Sequence, residues 1–292
     1  MKKIPIEYYS LAILKEPEGK NKGALILSQV DDVVSKYPLI KKHFYIIERR
    51  GWRGLNDSQY ADIKLVEDLS YWNDTLKKFP NTICLDIGPA DFVDTNVFRP
   101  LYIEKEYDGI QVSHWTAFKR PEMFIKAAAM LPHRRFIKLG HFVKGGSELE
   151  LKLRGSCIRL SKRLKANIEF PYSNAINNDD FSNSKRTMNY YINRCCIGVL
   201  TTKVEGINRF KMECLAADIP MLVPQDTSYP TKKHINEKTG LFFEPTPEEL
   251  AKTIEYALTH LGRFSPREYI ICLLYTSPSP RDLSTSRMPS SA

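Results

Sequence analysis

Lys203-Val-Glu205-Gly206-Ile207-Asn208-Arg-Phe-Lys-Met-Glu213-Cys-Leu-Ala-Ala-Asp-Ile-Pro220 lies between two short apolar runs, Cys196–Leu200 and Ile219–Val223. The first run reads as a buried strand and the glycine-containing turn as its exit. Ile207–Ala217 reads as a helix that leads into the second strand. In open α/β sheets the loop leaving such a strand is where ligands bind. Backbone N–H groups around Gly206, Ile207 and Asn208 would face an anion at the helix N-terminus. Glu205 stands in the loop, and Glu213 projects from the helix about two turns further on. Eight residues at about 100° each leave roughly 80° between their directions, so a bound ligand would meet the two carboxylates at different points.

Working outward, the same alternation continues on both sides. Upstream, Tyr107–Ser113 is a strand, Pro121–Leu131 a helix with proline in its opening turn, and Arg135–Leu139 a strand ended by Gly140. Glu148–Leu164 is an amphipathic helix, Asn167–Phe170 a strand, and Lys185–Arg194 a helix. Downstream come a strand at Leu241–Phe243 and a helix over Pro247–Leu261, with Glu248 and Glu249 suited to its N-terminal dipole. Short apolar strands alternating with helices predict βαβ units and a parallel sheet covered on both faces. The first 95 residues are less regular. Strands are expected at Tyr8–Leu14, Ala24–Leu27, His43–Ile47 and, as a compact buried run before Gly88-Pro89, Thr82–Ile87; helices are expected at Asp31–Lys36 and Tyr71–Lys78. The boundary between halves is expected near Asp94–Pro100.

Composition sets the outer limits. The 292 residues carry 43 Lys and Arg against 34 Asp and Glu, a net charge of +9, with 42% hydrophobic residues, which argues against a low-complexity or disordered chain. No apolar run approaches the roughly 18 to 20 residues of a membrane helix, and the start Met1-Lys-Lys-Ile-Pro-Ile-Glu7 lacks a signal-peptide core. A soluble cytoplasmic protein is the expectation. The last stretch, Cys272–Ala292, turns abruptly rich in Ser and Pro. Its Cys272–Asp282 and Ser286–Ala292 segments back-translate to strings resembling the two ends of a transposon-library sequencing adapter. Residues 272–292 are therefore expected to be a non-native tail, and the natural chain to be truncated there. The remaining cysteines, Cys84, Cys157, Cys195, Cys196 and Cys214, match no zinc-binding spacing and are expected to be reduced and mostly buried. No metal is implied.

With its flanking landmarks, the Glu205/Glu213 pair resembles the E-x7-E motif of retaining glycosyltransferases of the GT-B fold, in the large family 4. Phe92–Pro100 resembles the hinge segment entering that family's C-terminal domain, and Trp115–Ala127 the segment whose basic residues hold the donor diphosphate. His234–Leu241, Pro247–Leu250 and Ser265–Ile270 resemble its closing elements. The likeness runs in order over about 92–270. It implies a GT-B-like α/β fold, with a Rossmann-like doubly wound C-terminal donor-binding domain at 96–271. A short or incomplete N-terminal, acceptor-side α/β domain would occupy 1–95.

The resemblance also implies roles. Glu213 would bind the ribose of a nucleotide-sugar donor, and Glu205 the transferred sugar. Lys119, with Arg120, would stabilise charge on the leaving diphosphate, aided by the Gly206 and Ile207 amides and Asn208. The acceptor would be a saccharide, lipid-linked or other hydroxyl, with neither cofactor nor metal required. Two departures stand out: Ser113 and His114 occupy the place where family members commonly carry Arg, and Gly-Ile-Asn follows Glu205 where Pro-Phe-Gly is frequent.

Other features have plainer readings. Arg134-Arg135, Lys138 and Arg159–Lys165 are expected to be solvated helix faces, with attraction to anionic lipid as the functional alternative and peripheral contact at the inner membrane face as its consequence. Gly145-Gly146 is a turn without a phosphate-loop pattern, and the tryptophans and tyrosines suit packing. Two further readings of the whole chain remain: another GT-B-fold enzyme such as a nucleotide-sugar 2-epimerase, and a non-catalytic basic binding module. The scattered charge argues against nucleic acid as a partner.

Overall fold

The computed structural model describes residues 11–27, 29–49, 58–67, 69–86, 93–140, 147–171 and 185–276. Gly88-Pro89, Phe92, Gly145-Gly146 and residues 277–292 of the expected tail lie outside them. The chain divides into two compact units, Met1–Ile87 and Gly88–Ala292.

The first unit carries a five-stranded sheet in the order β1-β2-β3-β4-β5, formed by Leu11–Lys15, Gly23–Leu27, Phe44–Arg49, Ile63–Val66 and Ile83–Asp86. β1 runs antiparallel to β2, and the other pairs are parallel. Helices α1 (Val30–Lys36), α2 (Ile40–His43) and α3 (Leu69–Lys78) connect the strands. A core of Leu25, Leu27, Val30, Val33, Ile40 and Ile46 packs β2 and β3 against α1 and α2. Beside this apolar core lies a buried ion pair, Lys64 Nζ to Glu48 Oε2 at 2.8 Å, whose carboxylate also accepts from the Ser58 amide. Thr82–Ile87 was expected to be a buried strand. Instead β5 is the sheet's edge and is buried on one face only: Cys84 is buried, while Ile83 and Leu85, on the opposite face, are exposed.

The second unit holds a six-stranded sheet whose hydrogen-bonded pairs are all parallel. Its strands are β6 (Tyr107–Val112), β7 (Phe136–Leu139), β8 (Ile168–Glu169), β9 (Cys195–Val199), β10 (Met221–Pro224) and β11 (Gly240–Phe243). The helices are α4 (Pro121–Ala129), α5 (Glu148–Leu164), α6 (Lys185–Asn193), α7 (Arg209–Ala216), α8 (Tyr229–Lys232), α9 (Pro247–Thr259) and α10 (Pro266–Thr276). Residues Cys272–Thr276 of the expected tail thus continue α10.

Local chemistry sets the helix ends. Ser147 and Glu150 form a reciprocal capping box on α5, Thr246 caps α9, and Pro121 and Pro247 open their helices. Phe124, Phe136, Val199, Leu222, Leu250 and Ile254 form the largest buried cluster, joining α4 and α9 to the sheet. Trp115, Ile125 and Cys157 form a second one toward α5.

Two of the basic side chains expected on solvated helix faces are elsewhere. Lys138 sits in strand β7 and is only 1% exposed. Arg134 pairs with Glu255 at 2.9 Å and Asp108 at 3.2 Å, bracing α9 against the sheet. A four-residue strand buried along its whole length leaves Lys138 no route to solvent. All six cysteines are free thiols.

The order β8-β7-β6-β9-β10-β11 makes the chain step outward in one direction from β6 and then return to start the other direction from β9. Between these two strands the loops at the carboxyl ends diverge, leaving a crevice.

Candidate functional site

The crevice holds a cavity of about 370 Å³. The loop after β6 contributes Ser113, His114 and Lys119 to its wall; the loop after β9 and helix α7 contribute Glu205, Asn208, Arg209 and Glu213. Lys185 and Met188 of α6, together with Phe98 and Gly140, complete the surround. The structure thus brings together Lys119, Glu205, Asn208 and Glu213. Gly206 and Ile207 are buried beside the cavity and do not line it.

Lys119 ends a short 3-10 turn, Ala117–Lys119, and is nearly buried. Its ammonium forms an ion pair with Glu205. Burial pushes the Lys119 pKa down to about 8. Thr201 donates its hydroxyl to the Lys119 carbonyl at 2.6 Å and accepts from the buried amide of Gln111 at 2.6 Å, which secures the turn to the sheet. Arg120 follows with a left-handed φ of 46° and points elsewhere: its guanidinium grips Asp226 through two bonds of 2.7 Å and donates to the Thr201 carbonyl. It is not among the residues lining the cavity.

The Glu205 loop is held from behind by the segment opening α8. The Glu205 amide donates to Ser228 Oγ at 3.0 Å, and Thr231 Oγ1 donates to the Gly206 carbonyl at 2.9 Å. Lys211, fully buried on α7, donates to the carbonyls of Pro230, Thr231 and Lys233. Asn208 has a φ of 64°, a conformation costly for most side chains, and its carboxamide caps α7 by accepting from the Lys211 amide at 2.9 Å. This is the position where Gly is frequent in the resembled family, and asparagine is among the few residues that substitute for it there.

Glu213 is 7% exposed. Burial raises its pKa to about 7, against the opposing pull of Arg209 and Lys185. Near neutrality it therefore exists in both forms, an acceptor when ionised and a donor when protonated, which suits a hydroxyl-bearing ligand. Opposite, the cavity wall at Ser113 is backed by Lys138, whose ammonium donates to Ser113 Oγ at 3.0 Å, Ser113 O at 3.1 Å and Leu139 O at 3.0 Å.

Sequence reasoning missed Lys138, Lys185, Arg209, Ser228, Thr231 and Lys211. A lysine inside a short apolar strand was a signal for Lys138, and one in the apolar stretch of a helix was a signal for Lys211. Nothing local marked the others.

Further supports converge on the same wall. Asn189 and Asn193 of α6 accept from the Arg99 and Leu101 amides at 3.2 and 2.9 Å, and Arg267 of α10 donates to the carbonyls of Phe98 and Ala216. These bonds hold Phe98 against the cavity. The second unit alone thus supplies a pocket with a buried acid, a lysine–glutamate pair and the N-terminal end of α7.

No family model matches the chain, and no curated protein matches it. Solved structures do. The sucrose-phosphate synthase of Thermosynechococcus elongatus superposes with a TM-score of 0.62 at 15% identity, over 84% of this chain and 68% of that one. Anabaena HepE, solved in complex with UDP and glucose, gives 0.63 at 12% identity, over 84% and 72%. TarM of S. aureus, in complex with fondaparinux, alpha-GlcNAc-glycerol and UDP, gives 0.58 at 14% identity, over 83% and 50%. At these identities the likeness concerns architecture, and with the parallel sheets it establishes a Rossmann-like GT-B fold.

Proposed function

We propose that the protein is a glycosyltransferase of the retaining family 4 type, moving a sugar from a nucleotide-sugar donor to a hydroxyl acceptor with retention of anomeric configuration. The observation that carries this reading is the placement of Lys119, Glu205 and Glu213 around one cavity at the switch point of the sheet. The solved complexes of HepE and TarM, which contain UDP on the same fold, support it.

In this reading the donor's ribose hydroxyls meet Glu213 and the transferred sugar meets Glu205. The diphosphate lies between Lys119 and the N-terminal end of α7, near Gly206, Ile207 and Asn208. The Lys119 ammonium exchanges the Glu205 carboxylate for phosphate oxygens. As the anomeric C–O bond to phosphate breaks, negative charge grows on the diphosphate, and a fixed, desolvated cation there lowers the barrier. The new C–O bond forms to the acceptor oxygen, whose proton leaves with the diphosphate. Arg120 serves this arrangement by clamping the loop that carries Lys119. The acceptor is a saccharide or another hydroxyl compound, lipid-linked acceptors included. Among the described residues no helix is long and apolar enough to cross a membrane.

The test is transfer from a panel of nucleotide sugars to simple glycoside acceptors, with the product anomer read by NMR. Glu205→Ala and Glu213→Ala should each abolish most turnover. Unchanged transfer in both variants overturns the proposal, and release of an epimerised nucleotide sugar without acceptor points to the 2-epimerase chemistry instead.

A further inference from the structure

Lys138 occupies an unusual position. It lies in β7, a strand buried along its length, directly across from Gln111 on β6. Its ammonium is 4.6 Å from the Trp115 ring centroid and spends its three N–H bonds on Ser113 Oγ, Ser113 O and Leu139 O. No carboxylate pairs with it among the described residues. A leucine would fill the same strand position without the several kcal/mol that an unpaired buried charge costs. The cost is consistent with a counter-charge that arrives from outside.

Among the described residues, the only side chain that hydrogen-bonds this cation is Ser113, which lines the cavity wall. Because Ser113 Oγ accepts from an ammonium, its own O–H is left to donate, and the neighbouring charge makes it a stronger donor. Among the described residues that proton has no acceptor. Burial, with a smaller contribution from nearby Lys119, brings the Lys138 pKa down to about 7, so the amine is partly ionised near neutrality and an arriving anion favours its ammonium form. Two cations therefore bear on one end of the cavity, one directly and one through a hydroxyl.

We propose that Ser113 is an anion-binding residue of this cavity and that Lys138 is its positioning residue, together supplying the second positive site for the donor's diphosphate. The inference rests on the proposed function, and it deepens that reading by assigning the place where the resembled family commonly carries Arg. Ser113 donates to a phosphate oxygen; Lys138 holds the hydroxyl in that orientation and balances the added charge from behind.

Calorimetric titration of the full chain with inorganic pyrophosphate tests this. Ser113→Ala and Lys138→Met should each weaken pyrophosphate binding about tenfold, the loss of one charge-assisted hydrogen bond. The double variant should bind no more weakly than Lys138→Met alone, since the two residues act as one unit. Ser113→Thr, which keeps the hydroxyl, should restore wild-type affinity, a rescue that a purely structural role would not predict. If Lys138→Met fails to fold, the Ser113→Ala and Ser113→Thr pair carries the test. Wild-type affinity in Ser113→Ala, additive losses, or no rescue by threonine overturns the inference while leaving the proposed function standing. A wild-type chain that binds no pyrophosphate also overturns it, and the proposed function falls with it only if nucleotide sugars bind nowhere on the protein.

Discussion

The ammonium of Lys119 rests against the carboxylate of Glu205, joining two loops that leave neighbouring parallel strands, β6 and β9. The pair sits on the wall of the cavity, with both side chains largely buried. Each charge thus has a partner, and under the proposed function an incoming diphosphate would compete with Glu205 for the same cation.

Replacing either member should separate function from folding. Glu205→Gln and Lys119→Met are each expected to lower sugar transfer by roughly 10²–10³-fold while far-UV circular dichroism stays unchanged. The folded-state pKa of Lys119, about 8, lies below the 10.5 of a free lysine side chain. Between those values the unfolded chain binds the extra proton, so this residue makes stability rise as pH increases from 8 to 10.5. Urea melts at pH 7.5 and 10 should show that rise shrinking in Lys119→Met relative to wild type.

Glu213 carries the opposite sign. Its folded-state pKa of about 7 stands above the 4.5 of a free glutamate side chain. Between pH 4.5 and 7 the folded chain holds the extra proton, so the contribution of this residue to stability falls as pH rises through that window and stays low above it. Glu213→Gln removes the effect, and its advantage over wild type should grow from near zero at pH 4.5 to about 3 kcal/mol at pH 8. Chemical denaturation across that range checks it. Nucleotide-sugar binding should be weakened at every pH.

Gly140 closes the wall beside Ser113. A Cβ there would stand 2.6 Å from Trp115 Nε1, 2.8 Å from Trp115 Cε2 and 3.0 Å from the Ser113 carbonyl. Trp115 is buried and has no room to retreat. Gly140→Ala should therefore destabilise the protein by about 1–3 kcal/mol and weaken pyrophosphate binding by displacing Ser113. Thermal melts and the titration described above measure both.

Asn208 separates backbone strain from capping. Asn208→Gly keeps the φ of 64° without strain and loses the cap to the Lys211 amide, along with the 3.3 Å bond that Asn208 Nδ2 donates to Glu205 Oε2. It should cost a few tenths of a kcal/mol. Asn208→Ala loses the cap and retains the strain, and should cost about 2 kcal/mol. Equal melting temperatures for the two variants would show that the left-handed backbone is not maintained in solution.

Most elements of the second unit were legible from the residues. The helix at Glu148–Leu164 matches its expected span, and the strands around Glu205 start or end within two residues of theirs. Apolar period and capping chemistry are local, so a window of sequence contains them. The short helices α2 and α8 escaped notice because a single turn carries no apolar period, and β4 was also missed. The two acids could be named from their loop and helix, yet their spacing alone was compatible with an exposed helix surface.

Local sequence thus determined which segments become strand or helix, and where the loop carrying Glu205 would lie. Tertiary structure alone decided which charges meet. It set Lys119 against Glu205 across two strands, turned Arg120 away to Asp226, and enclosed Lys138 in the sheet behind Ser113. The physical reason is that burial and ion pairing depend on neighbours distant in the chain. A lysine reads the same in sequence on a wet helix as inside a strand, and only packing settles whether water or protein takes its hydrogen bonds.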